Sequence, residues 1–496
     1  MKLLIANRGE IVSRIVRSCS KLNIIPCGVY SEADKSSFYV KFLYEALNIG
    51  GLAASDSYLR IDKIVSAAKQ LGCDMIHPGY GFLAENPEFS EVCKKEDIIF
   101  VGPSPKVLKI SGDKLRAKQV VSRIAPVLEA KEVSTQEEAI KAAQEIGYPV
   151  ILKAARGGGG RGLRIVSSQR DISKFFESSR KESMISFASD RLFVEKYLER
   201  PRHIEVQILG DGQNIINLGE RECSIQRRHQ KLIEETPSPV LTKEMRQRIT
   251  DTAINIMKEM KYDNAGTVEF LFKDEHFYFM EVNSRIQVEH PITEQVTGID
   301  LIEQQLNIAS GTGLTIKQED VKPKGHAIEC RINAEHPFSF IPFGGTIKSF
   351  IPPYDANNVR IDTALSSGSI IPPFYDSLIA KLICFKDSRI GAIETMKRSL
   401  SMFRISGIPT TIPFHISALN DARFIEGMYD TSFVDELKPF SLKDGEVASA
   451  ILCQLPRKVK FLQKEGNSNA DIWTKSRYSD PNFDQYLSIS RWLNES

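Results

Sequence analysis

The sequence predicts a multi-unit α/β protein, and three observations carry that reading. A strand, a helix and a second strand open the chain. A helix and strand in its first half run into four consecutive glycines, and a later antiparallel hairpin gathers carboxylates on one face. With 496 residues, the chain suits roughly three domains at ~100–200 residues each.

In the opening unit, Lys2 to Ala6 is a short apolar run, and Ile11, Val12, Ile15, Val16, Cys19 and Leu22 recur at helical spacing. A second apolar run, Ile24 to Tyr30, ends before acidic Glu32 and Asp34. This order predicts a βαβ opening with a parallel sheet. Only Gly9 punctuates the first turn, so the dinucleotide pattern G-x-G-x-x-G is absent. His77-Pro-Gly-Tyr-Gly-Phe-Leu-Ala-Glu-Asn86 follows a strand at Cys73 to Ile76 and reads as a loop of the kind that binds ligands in open α/β sheets.

Ser134 to Gly147 reads as an amphipathic helix and Tyr148 to Ala154 as a strand that enters Arg156-Gly-Gly-Gly-Gly-Arg-Gly162. Glycines without Cβ let backbone N–H groups close around phosphate oxygens, with Lys153 and Arg161 supplying charge. A flexible linker is the competing reading. The β-type run Leu163 to Val166 on the far side favours a hairpin lid over phosphates. No Gly-Lys-Ser/Thr follows, so this is not a Walker A loop.

The third signal begins with Gly266 to Phe272, a strand with Thr267, Glu269 and Leu271 on one face, followed by a strand from Phe277 to Asn283. If the loop is Asp274, Glu275 and His276, Lys273 pairs with Phe277 and Glu269 stands opposite Glu281. A two-residue loop shifts the register by one and breaks that pairing. Opposed carboxylates repel at Cβ separations of about 4.5–5.5 Å. They need a cation between them, and with Asn283 they make an all-oxygen site suited to Mg²⁺ or Mn²⁺. Continued extended backbone places Glu281, Asn283, Arg285, Gln287 and Glu289 on one face, with Val282, Ile286 and Val288 toward the core.

Composition narrows the function classes. A hydrophobic content of 42% supports large cores, and 65 basic against 63 acidic side chains leave a charge of +2. That balance gives no global nucleic-acid or membrane surface, so anion recognition must be local. The eight cysteines never approach CxxC spacing and read as reduced thiols. No signal-peptide core and no membrane-length apolar run is present, so the expected location is the cytoplasm.

Together these segments resemble the biotin carboxylase family of ATP-grasp enzymes over about residues 1–440. The matching strings are Ile5-Ala-Asn-Arg-Gly-Glu-Ile11, His77-Pro-Gly-Tyr-Gly-Phe82, the Gly157–Gly162 loop, Val194-Glu-Lys-Tyr-Leu198, Pro201-Arg-His203, Cys223-Ser-Ile-Gln-Arg-Arg-His-Gln-Lys231, Glu281–Glu294 and Cys330-Arg-Ile-Asn-Ala-Glu335. The resemblance implies an N-terminal Rossmann-like, pre-ATP-grasp domain over residues 1–112. An ATP-grasp domain over 113–330, with a mobile glycine-rich lid at about 129–197, and a C-terminal α+β domain over 331–444 follow. A small extension over 445–496 carries Trp473, Tyr478, Tyr486 and Trp492; it either docks partner subunits or packs onto its own domain.

The implied activity is ATP-dependent carboxylation of biotin by bicarbonate through carboxyphosphate. By resemblance, Lys114, Lys153, Gly157, Gly158, Gly159, Gly160 and Gly162 hold the ATP phosphates. Glu195, Lys196, Tyr197 and Leu198 hold adenine and ribose, with His203, Gln226, His229 and Leu271 as further nucleotide contacts. Glu269, Glu281 and Asn283 match ligands for two Mg²⁺ or Mn²⁺ ions. Lys231, Arg285, Gln287, Val288 and Glu289 match the bicarbonate pocket, and Tyr80 and Arg331 the biotin side. Arg285, Glu289, Lys231 and Arg331 are the catalytic candidates, with Glu289 as general base. Arg156 and Leu163 depart from the residues usual in the lid and imply altered packing there.

The sequence carries no Ala/Val-Met-Lys-Met biotinyl motif, so biotin is expected in trans on a biotin carboxyl carrier protein, with a separate carboxyltransferase subunit. Family analogy gives a homodimer within a larger complex. Acetyl- or propionyl-CoA is the favoured final acceptor and pyruvate the runner-up. The alternative class is another bicarbonate-activating ATP-grasp ligase of the carbamoyl-phosphate type, and the non-enzyme alternative is an ATP-binding scaffold.

Overall fold

The apolar runs of the opening unit become the fully buried residues Leu3, Leu4 and Ile5 in the strand Lys2–Ile5, flanked by the helix Glu10–Lys21 and the strand Ile25–Tyr30. The computed structural model of the chain describes residues 1–154, 163–187, 191–355 and 357–437. Expectations for Arg156, Gly157 to Gly160, Arg161 and Gly162, and for the extension over 445–496, lie outside these residues. Among the described residues no helix is long and apolar enough to cross a membrane.

The first sheet is parallel, in the order Glu45–Asn48, Ile25–Tyr30, Lys2–Ile5, Met75–His77 and Ile99–Phe100. Strand order reverses at Lys2–Ile5, the place where open α/β sheets bind ligands. The loop after His77 lies there. Asn7 fastens it by donating Nδ2 to the carbonyls of Pro78 at 2.6 Å and Tyr80 at 2.8 Å. Gly79 has φ +64°, and a Cβ on it would stand 2.8 Å from that same Nδ2, so only glycine lets the loop approach Asn7 this closely.

A four-stranded antiparallel sheet follows, in the order Ala130–Val133, Leu192–Lys196, Val150–Ala154 and Arg164–Val166. The expected helix is Gln136–Ile146, begun by Thr135, whose hydroxyl accepts from the Glu138 N–H, and closed by Gly147 at φ +83°. Val150 pairs with Val166 and Leu152 with Arg164. The strands on either side of the glycine run therefore form the expected hairpin.

The largest sheet has eight strands: His276–Asn283, Asp263–Lys273, Arg202–Asp211, Ile215–Arg227, Gln230–Thr236, His326–Asn333, Leu378–Lys386 and Val359–Thr363. It runs without interruption through residues 330 and 331, because His326–Asn333 pairs with strands on both sides.

The hairpin reaches the expected pairing by another route. Its loop is the two residues Asp274 and Glu275, at φ 49° and 62°, the positive pair that a tight two-residue turn requires. Lys273 therefore pairs with His276, which by itself would misalign the carboxylates. A register shift between Glu269 and Phe270 restores the match, with Phe270 opposite Phe279 and Glu269 opposite Glu281. This is a β-bulge, in which one extra residue on the second strand re-aims the side chains beyond it. A second expectation holds in part: Glu281, Asn283, Arg285, Gln287 and Glu289 do share one cleft, and Val282 and Ile286 are buried. The strand stops at Asn283, and Val288 faces the cleft described below instead of the core.

One buried cluster ties the large sheet to the last helices. The carboxylate of Glu235 accepts from His326 Nε2 at 2.5 Å, from Arg389 Nε at 2.7 Å and Nη2 at 2.9 Å, and from the Tyr429 hydroxyl. Burial opposes its ionisation, but the bonds and charges of His326 and Arg389 hold it down at about 2. Its stabilising contribution is thus present above the ordinary carboxylate value and lost as pH falls toward 2. Glu235→Gln should cost about 3–5 kcal/mol, the usual penalty for breaking a buried pair. Urea unfolding at pH 7 and at pH 3 checks this, because the difference between variant and parent must shrink at the lower pH.

Candidate active site

Four strands of the large sheet place charges in a single row. Arg221 stands opposite Glu205, Glu205 opposite Glu269, and Glu269 opposite Glu281. Three neighbouring carboxylates repel, and the fold answers each with a cation. The fully buried Arg221 donates Nε to Glu205 at 2.5 Å, and Lys114 Nζ lies 2.6 Å from Glu281. Lys231 Nζ reaches Glu205 at 2.5 Å, Glu269 at 3.0 Å and Glu289 at 2.5 Å. His203 Nε2 lies 2.9 Å from the other oxygen of Glu269.

A cleft of about 610 Å³ opens over this row. Every candidate residue named from the sequence, among the described ones, lines it. Lys153 and the segment Glu195 to Leu198 come from the four-stranded sheet. His203, Gln226, His229, Lys231, Glu269, Leu271, Glu281 and Asn283 come from the large sheet, with Arg285, Gln287, Val288 and Glu289 from the loop after it. Tyr80 arrives from the first unit, and Arg331 from the strand His326–Asn333.

The hairpin tip carrying His229 turns on Arg228 and His229, at φ 49° and 65°. Gln226 and Lys231 therefore pair across it, so the charge run is a built hairpin at the edge of the cleft, exposed at Arg228, His229 and Gln230. Burial, then the cations of Lys153 and His203, push the His229 imidazole below its ordinary value. At neutral pH it is an uncharged donor and acceptor. At the far wall Lys153 Nζ lies 2.5 Å from Glu195, and Lys118 contacts the same carboxylate. The Glu195 side chain is thereby committed to two lysines, and three ammonium groups, with Lys114, face the cleft against Glu195 and Glu281.

On the opposite side Arg331 binds two carboxylates. It donates to Glu234 at 2.6 Å and to Glu289 at 2.9 Å. Burial opposes ionisation of Glu289, yet the cations Lys231, Arg331 and Arg221 hold it well below the usual carboxylate range. Lys381, fully buried, donates to the Val288 carbonyl at 2.9 Å and pairs with Glu10 at 3.0 Å. It thereby fixes the loop that presents Gln287 and Glu289. Glu289 is the residue before the helix His290–Thr297, and Pro291 fits its first turn, where no backbone N–H is needed.

The carboxylates fit a hard divalent ion, since Glu269 and Glu281 are opposed oxygen ligands and the Lys114 ammonium already stands as a cation on Glu281. Asn283 is turned otherwise. Its Nδ2 donates to Glu269 at 2.7 Å and its Oδ1 accepts from Arg285 at 3.3 Å, so it serves as a metal ligand only if that oxygen leaves Arg285. His203, Glu205 and Glu269 also cluster closely, but Lys231 already bridges the two carboxylates.

Sequence reasoning missed Glu205, Lys118, Glu234 and Lys381. Glu205 was within its reach, because Ile204, Val206 and Ile208 alternate with His203, Glu205 and Gln207. Glu234 and Lys381 depend on pairing between distant strands, which no local pattern reveals.

Strands paired on either side of the glycine run, lysines gathered along one wall of the cleft and opposed carboxylates on a central sheet are the features of an ATP-grasp ligase. Residues 1–108 match the biotin carboxylase N-terminal domain, and 329–436 the biotin carboxylase C-terminal domain. Residues 113–317 match the carbamoyl-phosphate synthase L chain ATP-binding domain. Biotin carboxylase 1 of Bacillus subtilis is 48% identical over 441 residues, covering 88% of this chain and 98% of the relative. A pyruvate carboxylase subunit of Methanothermobacter thermautotrophicus is 48% identical over 442 residues, covering 88% and 90%. The biotin carboxylase domain dimer of Hydrogenobacter thermophilus 2-oxoglutarate carboxylase, solved with MgADP, ADP and bicarbonate, superposes with TM-score 0.86 at 43% identity, covering 89% of this chain and 99% of that one. The chain belongs to the biotin carboxylase family of ATP-dependent ligases.

Glu281→Gln should weaken Mn²⁺ binding in the presence of ATP by roughly ten- to hundredfold, the scale seen when a metal site loses support. Electron paramagnetic titration of free Mn²⁺ measures it. The thermal midpoint should stay put, since Glu281 lies at the cleft surface.

Proposed function

We propose that the chain carboxylates biotin carried on a separate protein, using ATP and bicarbonate by way of carboxyphosphate, as the biotin carboxylase subunit of an acetyl- or propionyl-CoA carboxylase. The observation that carries this reading is the Glu289 carboxylate held between Lys231 and Arg331, one residue from the Val288 carbonyl that Lys381 secures. Such a group can take a proton from an anion that the neighbouring cations attract.

Bicarbonate is a poor nucleophile until it loses its second proton. Lys231, Arg285 and Gln287 seat it, and its oxygen attacks the γ-phosphorus of ATP as Glu289 accepts the proton and the bond to the bridging oxygen breaks, releasing ADP. Held by Lys231, Arg331 and Arg221, Glu289 by itself is a weak base. Bicarbonate arriving there shares Lys231, and the basicity of Glu289 rises accordingly. Lys114, Lys118 and Lys153 offset charge on the phosphates. A divalent ion held by Glu269 and Glu281 would supply further neutralisation of the β- and γ-phosphates. Carboxyphosphate then releases CO₂ and phosphate, phosphate takes the biotin ureido proton, Arg331 stabilises the enolate with a guanidinium charged at any working pH, and the ureido nitrogen bonds to the carbon of CO₂.

In this reading the partners are a carrier protein and a carboxyltransferase subunit, the working unit is a homodimer, and the division at residues 112, 330 and 444 stands as proposed from the sequence. The seven cysteines among the described residues are free and buried, which suits a reducing compartment such as the cytoplasm. A second reading, the equivalent subunit of a pyruvate carboxylase, is favoured by the 48% identity to a pyruvate carboxylase subunit.

ATP hydrolysis should require Mg²⁺ or Mn²⁺ and bicarbonate and should rise with free biotin; turnover indifferent to bicarbonate overturns the proposal. Two variants then separate the half-steps. Glu289→Gln should lose bicarbonate-dependent hydrolysis with and without biotin, by about 10²–10⁴-fold. Arg331→Gln should keep the slow biotin-independent reaction and lose the biotin-dependent one. Equal loss of the slow reaction in both variants, with ATP binding intact, removes Arg331 from the second half-step.

A further inference from the structure

Behind Arg331, two carboxyl groups face each other with too few partners. Glu234 and Glu329 are directly opposed on the strands Gln230–Thr236 and His326–Asn333, and both are 0% exposed. Directly opposed residues have Cβ atoms about 4.5–5.5 Å apart. Glu234 gives Oε1 to Arg331, but its Oε2 has no partner, and neither oxygen of Glu329 has one.

The cations nearby are already committed. Arg331 serves Glu234 and Glu289. Lys381, which pairs with Arg331 across the next strand, serves Val288 and Glu10 and lies 3.9 Å from Asp362. A second buried anion opposite Glu234 would be repelled by it and would lack any hydrogen bond, a cost that a buried carboxylate avoids by staying neutral. A neutral carboxyl has a proton to donate, and the unsatisfied acceptor across the ladder is Glu234 Oε2.

We infer that Glu329 is a positioning residue that keeps its proton and donates it to Glu234 Oε2, holding Glu234 ionised and so fixing the Arg331 guanidinium at the biotin side. This rests on the role proposed above for Arg331. Burial, with repulsion from Glu234 and against the pull of Lys381, pushes the Glu329 carboxyl well up. Burial, with repulsion from Glu289 and against the pull of Arg331, brings Glu234 to about 7. One proton is therefore shared between two groups and resides on Glu329. Arg331 keeps its counter-charge above about pH 7 and loses it as pH falls and Glu234 protonates.

The test compares Glu329→Gln with Glu329→Leu and reads infrared absorption alongside turnover. Glutamine retains a neutral donor, so Glu329→Gln should hold the biotin KM and the acid limb of the pH profile near those of the parent. Leucine removes the donor, so Glu234 protonates at higher pH. The acid limb should move upward, and the biotin KM should rise on the order of tenfold, as loss of a hydrogen bond to a charged group implies. The ATP KM should not move. The parent-minus-Gln infrared difference at pH 8 should contain the carbonyl stretch of a protonated carboxylic acid. Absence of that band overturns the inference, as does a Gln variant impaired as severely as the Leu variant. The band is read without substrate, so its presence in a parent that ignores bicarbonate and biotin overturns the proposed function and leaves the proton on Glu329.

Discussion

The ammonium of Lys231 is the point on which the cleft turns. It sits within 3.0 Å of Glu205, Glu269 and Glu289, three carboxylates that could not stand together unpaired in a buried place. Burial works against its charge, but the neighbouring Cys223 and these acids raise its pKa well above the ordinary lysine value. Around it the backbone follows: the bulge that aligns Glu269 with Glu281, the tight turn that brings Lys231 opposite Gln226, and the loop fastened by Lys381. Remove that one charge, and the row from Arg221 to Glu281 becomes an electrostatic liability.

Such a site is poised rather than relaxed. Glu195, Glu205, Glu269, Glu281 and Glu289 each have a cation already, and Lys114, Lys118 and Lys153 outnumber Glu195 and Glu281. An anion entering such a site would do so by exchange of ion pairs with the carboxylates already there. Differential interactions of this kind are the ones that accelerate chemistry, because they are made most fully when charge is transferred.

The βαβ opening, the glycine-flanked hairpin and the carboxylate pair are legible in the sequence because each is a local pattern: an apolar run, a helical period, an alternation of two. The hairpin shows the limit. Its loop is one residue shorter than the reading that pairs Glu269 with Glu281, and the pairing still holds, because a bulge at Glu269 and Phe270 compensates. Bulges leave little trace in residue type. The alternation read through Glu289 departs at Val288 for a related reason, since the chain leaves the sheet at Asn283 to begin a helix. Glu329 is invisible in the sequence, being one of many acids until its strand is laid beside Glu234.

The uninterrupted sheet has a consequence for how the molecule can be divided. Residue 330 lies mid-strand, so a fragment ending there would strip Gln230–Thr236 of its neighbour and expose a bare ladder of N–H and C=O groups, a template for aggregation. Lys231 and Arg331, on adjoining strands, ride on one rigid plate. Their spacing is a property of the sheet, and any closing motion must come from the opposite wall. The strand His326–Asn333 thus joins the residues on either side of position 330 in one continuous sheet.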